Sequence, residues 1–156
     1  MIFGIICEFN PFHKGHRYLI ESVKKENDFV ICAMSGNFVQ RGEFAVYDKY
    51  TRAKTAVENG ADIVIEIPGV CSTLSAQGYA KAGVNILEGT GICDSIAFGA
   101  ECENVDELRA VADKIKEKDA QIKAELAKGV SYPTARKNAV GSPILDKPNN
   151  ILAIEY

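Results

Sequence analysis

Short apolar runs alternating with segments of helical period constrain this chain more than any other feature. Residues 2–7, 29–34, 63–67 and 95–98 are apolar and strand-length. Between them lie stretches that repeat apolar residues every three to four positions. Residues 16–25 predict a short helix with Leu19, Ile20 and Val23 inward. Residues 47–59 predict a second, burying Tyr50, Ala53 and Val57 and stopped by Gly60. Residues 74–87 predict a third, burying Tyr79, Gly83, Ile86 and Leu87. Strands separated by helices of this length make βαβ units, which close into a parallel sheet through right-handed crossovers. Strand one should lie between strands two and four.

From Val105 the sequence becomes charged, and Leu108, Val111, Ala112, Ile115, Ile122 and Leu126 continue one apolar stripe. This predicts one long helix or a broken pair packed on the sheet, supported by Asp119 and Lys123 at i, i+4 and ended by Gly129. Pro133, Gly141, Pro143 and Pro148 then suggest a loop-rich stretch, and residues 150–156 the opening of a helix. At 156 residues the chain is the size of a single domain. Its net charge of −3 does not advertise nucleic acid, so any RNA contact would need a local basic patch. Five cysteines without a CxxC pair read as buried free thiols of a reducing, cytoplasmic protein. There is no basic, signal-like N-terminus, and no apolar stretch approaches the ~20 residues that span a bilayer.

In open parallel sheets, ligands bind beyond the carboxyl ends of the strands. Here strand one runs into Phe9-Asn10-Pro11-Phe12-His13-Lys14-Gly15-His16. Pro11 stiffens the turn, Gly15 allows close backbone approach, and His16 opens a helix whose N-terminus favours anions. His13 and His16 are the only histidines in the chain. They suit hydrogen bonding to nucleotide phosphate oxygens as charge builds in a transition state. They could also be metal ligands, but zinc needs three or four and no others are spaced nearby, so no metal site is expected. A third reading is a pair of surface histidines on a turn. The glycine-rich dinucleotide pattern and the P-loop lysine pattern are both absent. Residues 35–43 have the composition of a functional loop, with Asn37, Gln40 and Arg41 between Gly36 and Gly42, and Ser35 and Glu43 just outside them. Arg41 could meet a phosphate or carboxylate, or stay solvated. Lys49 and Arg52 could extend a basic patch for substrate or RNA, or form a solvated helix face. Glu66 and Asp94 are not assigned to chemistry.

His13-x-Gly15-His16 after a first strand resembles the HxGH signature of the nucleotidylyltransferase superfamily. Longer segments resemble one family within it: Gly4 to His16, Met34 to Glu43, Gly60 to Pro68, Phe98-Gly-Ala-Glu101 and Lys147 to Leu152. That family is the bacterial tRNA(Met) cytidine acetate ligases, and the resemblance covers essentially the whole chain. It implies an α/β, Rossmann-like nucleotidylyltransferase (HUP-type) fold, with a parallel sheet of four or more strands flanked by helices. It also implies ATP, carried with Mg2+, and acetate as substrates. Acetyl-adenylate and pyrophosphate form first, and N4 of the wobble cytidine of elongator tRNA(Met) is then acetylated.

Carried over by motif, Cys7, Glu8, Phe9, Asn10, Pro11, Phe12, His13, Lys14, Gly15 and His16 hold ATP, with His13 and His16 catalytic. Gly99 admits the nucleotide, and Asn149 or Asn150 adds a side-chain contact. Family members continue through a further strand and an arginine-bearing phosphate segment, so residues 1–156 correspond either to the N-terminal catalytic part of such a protein or to a natural short relative with altered function. Two other functions remain open on sequence: a small-molecule adenylyl- or nucleotidylyltransferase, and a non-catalytic ATP- or AMP-binding module.

Overall fold

A computed structural model of the chain describes residues 1–40 and 42–156. Arg41 lies outside the described residues. The chain divides into two compact units, Met1–Phe98 with Tyr156, and Gly99–Glu155.

The first unit is the expected parallel sheet. β1 (Ile2–Cys7), β2 (Phe29–Ser35), β3 (Ile63–Ile67) and β4 (Ser95–Ile96) run in the order β3-β2-β1-β4, all parallel. Ile5 lies beside Cys32, and Ala33 beside Ile65. β2 is buried from Val30 to Ser35, as a central parallel strand with both faces covered must be. The fourth strand is shorter than the apolar run 95–98: only Ser95 and Ile96 form a ladder, and Ala97 adds one hydrogen bond to the Gly4 carbonyl.

One sheet face carries Ile5, Cys7, Val30, Cys32 and Met34, which form a cluster with Ile20 of α1 (Lys14–Val23) and Ala56 of α2 (Lys49–Glu58). After the short α3 (Gly69–Ser72), α4 (Ala76–Gly89) packs on β1, β2 and β3. Gly83 of α4 is a glycine for a packing reason, since a Cβ there would stand 2.7 Å from the Ile6 side chain. Tyr79, Gly83 and Leu87 are buried as expected, with Ala80 in place of the half-buried Ile86.

α2 faces the core differently from its apolar pattern. Tyr50 and Val57 are exposed, and the buried residues are Arg52 and Ala56. The helix begins at Lys49 because Asp48 caps it, accepting from the Tyr50 and Thr51 N–H groups at 2.9 and 3.0 Å.

The second unit is helical. The charged stripe is a broken pair, α5 (Val105–Glu117) and α6 (Asp119–Leu126), with Leu108, Val111 and Ile122 buried. Asp119 and Lys123 pair at 2.5 Å. The proline-punctuated stretch is helical rather than loop. Pro133 sits in the first turn of α7 (Tyr132–Val140), and Pro143 starts a 3-10 turn (Pro143–Asp146). Pro148 opens α8 (Pro148–Glu155). Proline is tolerated there because first-turn N–H groups lack helical partners anyway. Gly141 ends α7 at φ 66°, in the left-handed region. Cys7 and Cys32 are buried, while Cys71, Cys93 and Cys102 are half-buried; all five are free. Among the described residues no helix is long and apolar enough to cross a membrane.

Candidate active site

The sheet order reverses at β1: the chain moves from β1 outward through β2 to β3, then returns to place β4 on the other side. Such a reversal opens a crevice at the carboxyl ends of the strands. The turn that leaves β1 there contains both histidines.

Helix α1 begins earlier than its apolar period suggests, because His13 is its N-cap. His13 Nδ1 accepts from the Gly15 N–H at 3.1 Å, and His16 Nδ1 accepts from the His13 N–H at 3.3 Å. This is a reciprocal capping box in which two imidazoles replace the usual Ser/Thr and Glu/Gln. The rings stack with centroids 3.6 Å apart and planes 20° from parallel. Gly15 makes the approach possible, since a Cβ at that position would stand 3.0 Å from His13 Cε1. An imidazole nitrogen that accepts a hydrogen bond carries no proton. Both neutral rings are therefore Nε2–H tautomers, each with one remaining donor. The N–H groups of His13 and Gly15 are spent on the rings, so the turn offers its positive character to a ligand through imidazole.

Burial, reinforced by the adjacent His13, lowers the pKa of His16 to about 4. His16 is thus a neutral donor at ordinary pH. Beneath the pair, Phe9 is 1% exposed, with its ring 4.9 Å from those of Phe12 and His16. Phe9 has φ 48°, a left-handed conformation that costs a non-glycine residue on the order of 1–3 kcal/mol.

Side chains from elsewhere in the first unit fix the turn's entry. The Tyr79 hydroxyl donates to the Cys7 carbonyl at 2.9 Å and shares a hydrogen bond with Ser35. Burial pushes that phenol well above its ordinary pKa, so it remains a donor. Arg52 is 1% exposed. Its Nε donates to the Tyr47 carbonyl at 3.0 Å, its Nη1 to the Glu8 carbonyl and its Nη2 to the Gly36 carbonyl. The Glu8 carboxylate accepts from the Gln40 N–H at 2.7 Å, and Asn10 Oδ1 from the Val46 N–H at 2.6 Å. The loop after β2 is thereby strapped to the turn after β1.

The structure divides the residues singled out from the sequence. His13, Lys14, Gly15 and His16 lie together at the start of α1, with Pro11 exposed and Phe12 half-buried beside them. The side chains of Cys7 and Phe9 point into the core. Those of Glu8 and Asn10 hold the neighbouring loop. Ser35 and Arg52 are interior side chains rather than surface contacts. Lys49 pairs with Glu66 at 2.6 Å, and Asn37 accepts from the Lys49 N–H at 3.0 Å. Gln40 is partly exposed, with its amide on the Leu74 carbonyl at 3.4 Å. Tyr79 was not singled out as part of the site, because a tyrosine on an apolar helix face reads as core.

In the second unit Gly99 is exposed, with open space where a Cβ would stand. Asn150 is 3% exposed, and its Oδ1 accepts from the Glu101 and Cys102 N–H groups at 2.8 and 2.9 Å. Asn150 is therefore a structural staple. Asn149 is exposed, with its amide 3.1 Å from Glu101, and is the more available of the two.

Comparison with known proteins fits this geometry. A sequence model described as HIGH nucleotidyl transferase matches residues 1–156. The chain belongs to the HIGH nucleotidyl transferase family. Among family relatives, it is 44% identical over 170 residues to the tRNA(Met) cytidine acetate ligase of Acetivibrio thermocellus, and 42% identical over 170 residues to that of Clostridium novyi. These alignments cover 99% of this chain but only 41% and 42% of the two relatives. The crystal structure of Thermotoga maritima TmcAL bound with alpha-thio ATP superposes with a TM-score of 0.89 at 39% identity, covering 99% of this chain and 42% of that one. The parallel α/β fold expected from the sequence is the fold of this nucleotidyl transferase.

Proposed function

We propose that this chain activates acetate with ATP and belongs to an enzyme that acetylates N4 of a tRNA(Met) cytidine. The observation that carries the proposal is the stacked His13–His16 pair, held as two Nε2–H donors at the carboxyl edge of the sheet. The names of the relatives supply acetate and tRNA, and the ATP analogue in the similar structure supplies the nucleotide.

In the first step an acetate oxygen attacks the α-phosphorus of ATP. A new P–O bond forms, the bond to the bridging oxygen breaks, and pyrophosphate leaves with its electron pair. Negative charge spreads over the phosphate oxygens, where neutral imidazole donors stabilise it without surrendering a proton. No protein nucleophile is needed. In the second step the cytidine N4 amine attacks the acetyl carbonyl, loses a proton, and AMP leaves. Lys14, at the first position of α1, adds a cation near the same helix N-terminus. Among the described residues no three His, Cys, Asp or Glu side chains converge as a metal site. Mg2+ would arrive with the triphosphate, as it commonly does with ATP, and no step is routed through it.

The test is ATP–pyrophosphate exchange by the purified chain, with and without acetate, followed by mass spectrometry of methionine tRNA incubated with ATP and acetate. Exchange that requires acetate supports the reading. Exchange driven instead by a phosphorylated metabolite would replace it with a small-molecule nucleotidylyltransferase. N4-acetylcytidine formation would place the RNA-holding surface within residues 1–156.

A further inference from the structure

We propose that Arg52 is a positioning residue for the adenylation turn: it sets the Glu8–Phe9 peptide, and through it the seat of the two imidazoles. The proposal rests on the reading of the His13–His16 turn as the ATP site. Arg52 lies on α2, far in sequence from that turn, and touches neither histidine by any hydrogen bond described. What it holds is three carbonyls from three segments: Glu8 at the end of β1, Gly36 just after β2, and Tyr47 just before α2. A guanidinium is the one side chain with enough donors in a rigid fork to gather three such acceptors.

The Glu8 contact links Arg52 to the histidines. Turning the Glu8–Phe9 peptide changes the ψ of Glu8 and the φ of Phe9 together, and the φ of Phe9 is 48°, in the region L side chains rarely adopt. A buried phenylalanine has no local reason to stay there. With the Glu8 carbonyl held by Nη1, the peptide cannot turn back without stranding a buried charge. The Phe9 ring in turn packs against Phe12 and His16, each at 4.9 Å between ring centroids. The path from guanidinium to imidazole is thus one carbonyl, one backbone angle and one aromatic contact. The preceding carbonyl, Cys7, is held separately by Tyr79. Among the described residues, the side chain on the Glu8 carbonyl is Arg52.

The test compares Arg52→Lys and Arg52→Met with a control, Leu87→Ala, a core truncation in α4 away from the turn. All are assayed well below their melting temperatures. Two quantities are read: kcat and KM for ATP in acetate-dependent exchange, and the ring nitrogen-15 shifts of His13 and His16. Positioning predicts a fall in kcat of about 10²-fold in both Arg52 variants, since small misplacements of catalytic groups cost rates of that order. KM should change far less. The ring shifts should move from the fixed Nε2–H pattern toward averaged tautomers. Leu87→Ala should lower the melting temperature and leave both readouts in place. If the Arg52 variants match Leu87→Ala in both readouts, or if neither Arg52 variant folds, the residue serves folding alone and the proposal is overturned. If the unaltered chain shows no exchange, the adenylation reading fails, and the ring shifts alone decide the role of Arg52.

Discussion

The turn at residues 9–16 and the segment at residues 36–52 both stand out in the sequence as polar, glycine-bearing and placed after a strand, yet the fold uses them in opposite ways. The turn keeps its two imidazoles at the surface and fixes them with its own backbone: each Nδ1 accepts from an N–H two or three residues away. The later segment turns Arg52, the candidate contact at its end, inward. Arg52 is buried, as is Ser35 at the end of β2 just before the segment, and Lys49 is held by Glu66. A polar side chain is free for a ligand only when the surrounding backbone has no unmet need for it. In the turn, the imidazoles answer their own helix and keep Nε2–H in reserve. In the later segment, three carbonyls each take one of the three guanidinium nitrogens of Arg52.

The sharpest way to break this contrast is His16→Ala. Loss of one preorganised donor typically lowers turnover about 10²–10³-fold, and exchange kinetics should show a fall of that order with a smaller change in KM. Circular dichroism should show the fold retained, because His16 is only half-buried and its neighbour His13 still caps α1. A variant that loses its fold before its activity would make His16 a structural residue rather than a catalytic one.

Acid should reach the same donor reversibly. The pKa of His16 is lowered to about 4, so the folded protein resists protonation that the unfolded chain accepts near 6.5. The stability this group contributes is full above 6.5, declines as pH falls below it, and is lost once pH passes about 4. Protonation at Nδ1 leaves Nε2–H in place but ends the acceptance from the His13 N–H that seats the ring, so exchange activity that depends on that seat should hold from neutrality down to about pH 5, and fall about tenfold per unit below 4. A midpoint near 6.5 in a histidine-resolved NMR titration would show that the ring is solvated.

The strap between the two regions gives a smaller effect. Asn10→Ala removes the acceptor for the Val46 N–H, and such a bond is worth about 1 kcal/mol. The loop after β2 should loosen, seen as faster amide exchange at Val46, while β1 and β2 keep their protection. Unchanged exchange there would mean that the loop is held without the turn.

Why one region was legible and the other not comes down to the range of the interactions. β1, β2 and β3 follow from apolar runs of strand length. The histidine turn follows from its place after β1 and from the HxGH pattern. Its capping geometry did not, because helix starts are usually read from Ser, Thr, Asp or Asn, and His13 takes that position. The inner face of α2 was misread in part: Ala53 does pack against the core cluster, but apolar periodicity also counts the exposed Tyr50 and Val57 and assigns Arg52 to solvent. Only the fold brings the Glu8, Gly36 and Tyr47 carbonyls within reach of one guanidinium. The helices between residues 130 and 150 were missed because prolines read as breaks, whereas here Pro133, Pro143 and Pro148 open the elements they occupy.

The same misreading supplies the finest test, in which the expected effect is close to nothing. If apolar periodicity governed α2, Tyr50→Ala and Val57→Ala would open the core and each cost several kcal/mol. In the structure Tyr50 is 76% exposed and Val57 49% exposed, while Ala56 is fully buried in the cluster with Cys32 and Met34. Exposed substitutions away from caps and cores usually change stability by less than about 0.5 kcal/mol. Tyr50→Ala and Val57→Ala should therefore unfold in urea within about that margin of the unaltered chain. Enlarging the inward residue, Ala56→Leu, should cost about 1–3 kcal/mol through overpacking. The sign of the difference between these substitutions reports which face of α2 meets the sheet. A destabilised Tyr50→Ala beside a tolerated Ala56→Leu would rotate the helix, carry Arg52 back to the surface, and return it to the set of residues available to a ligand.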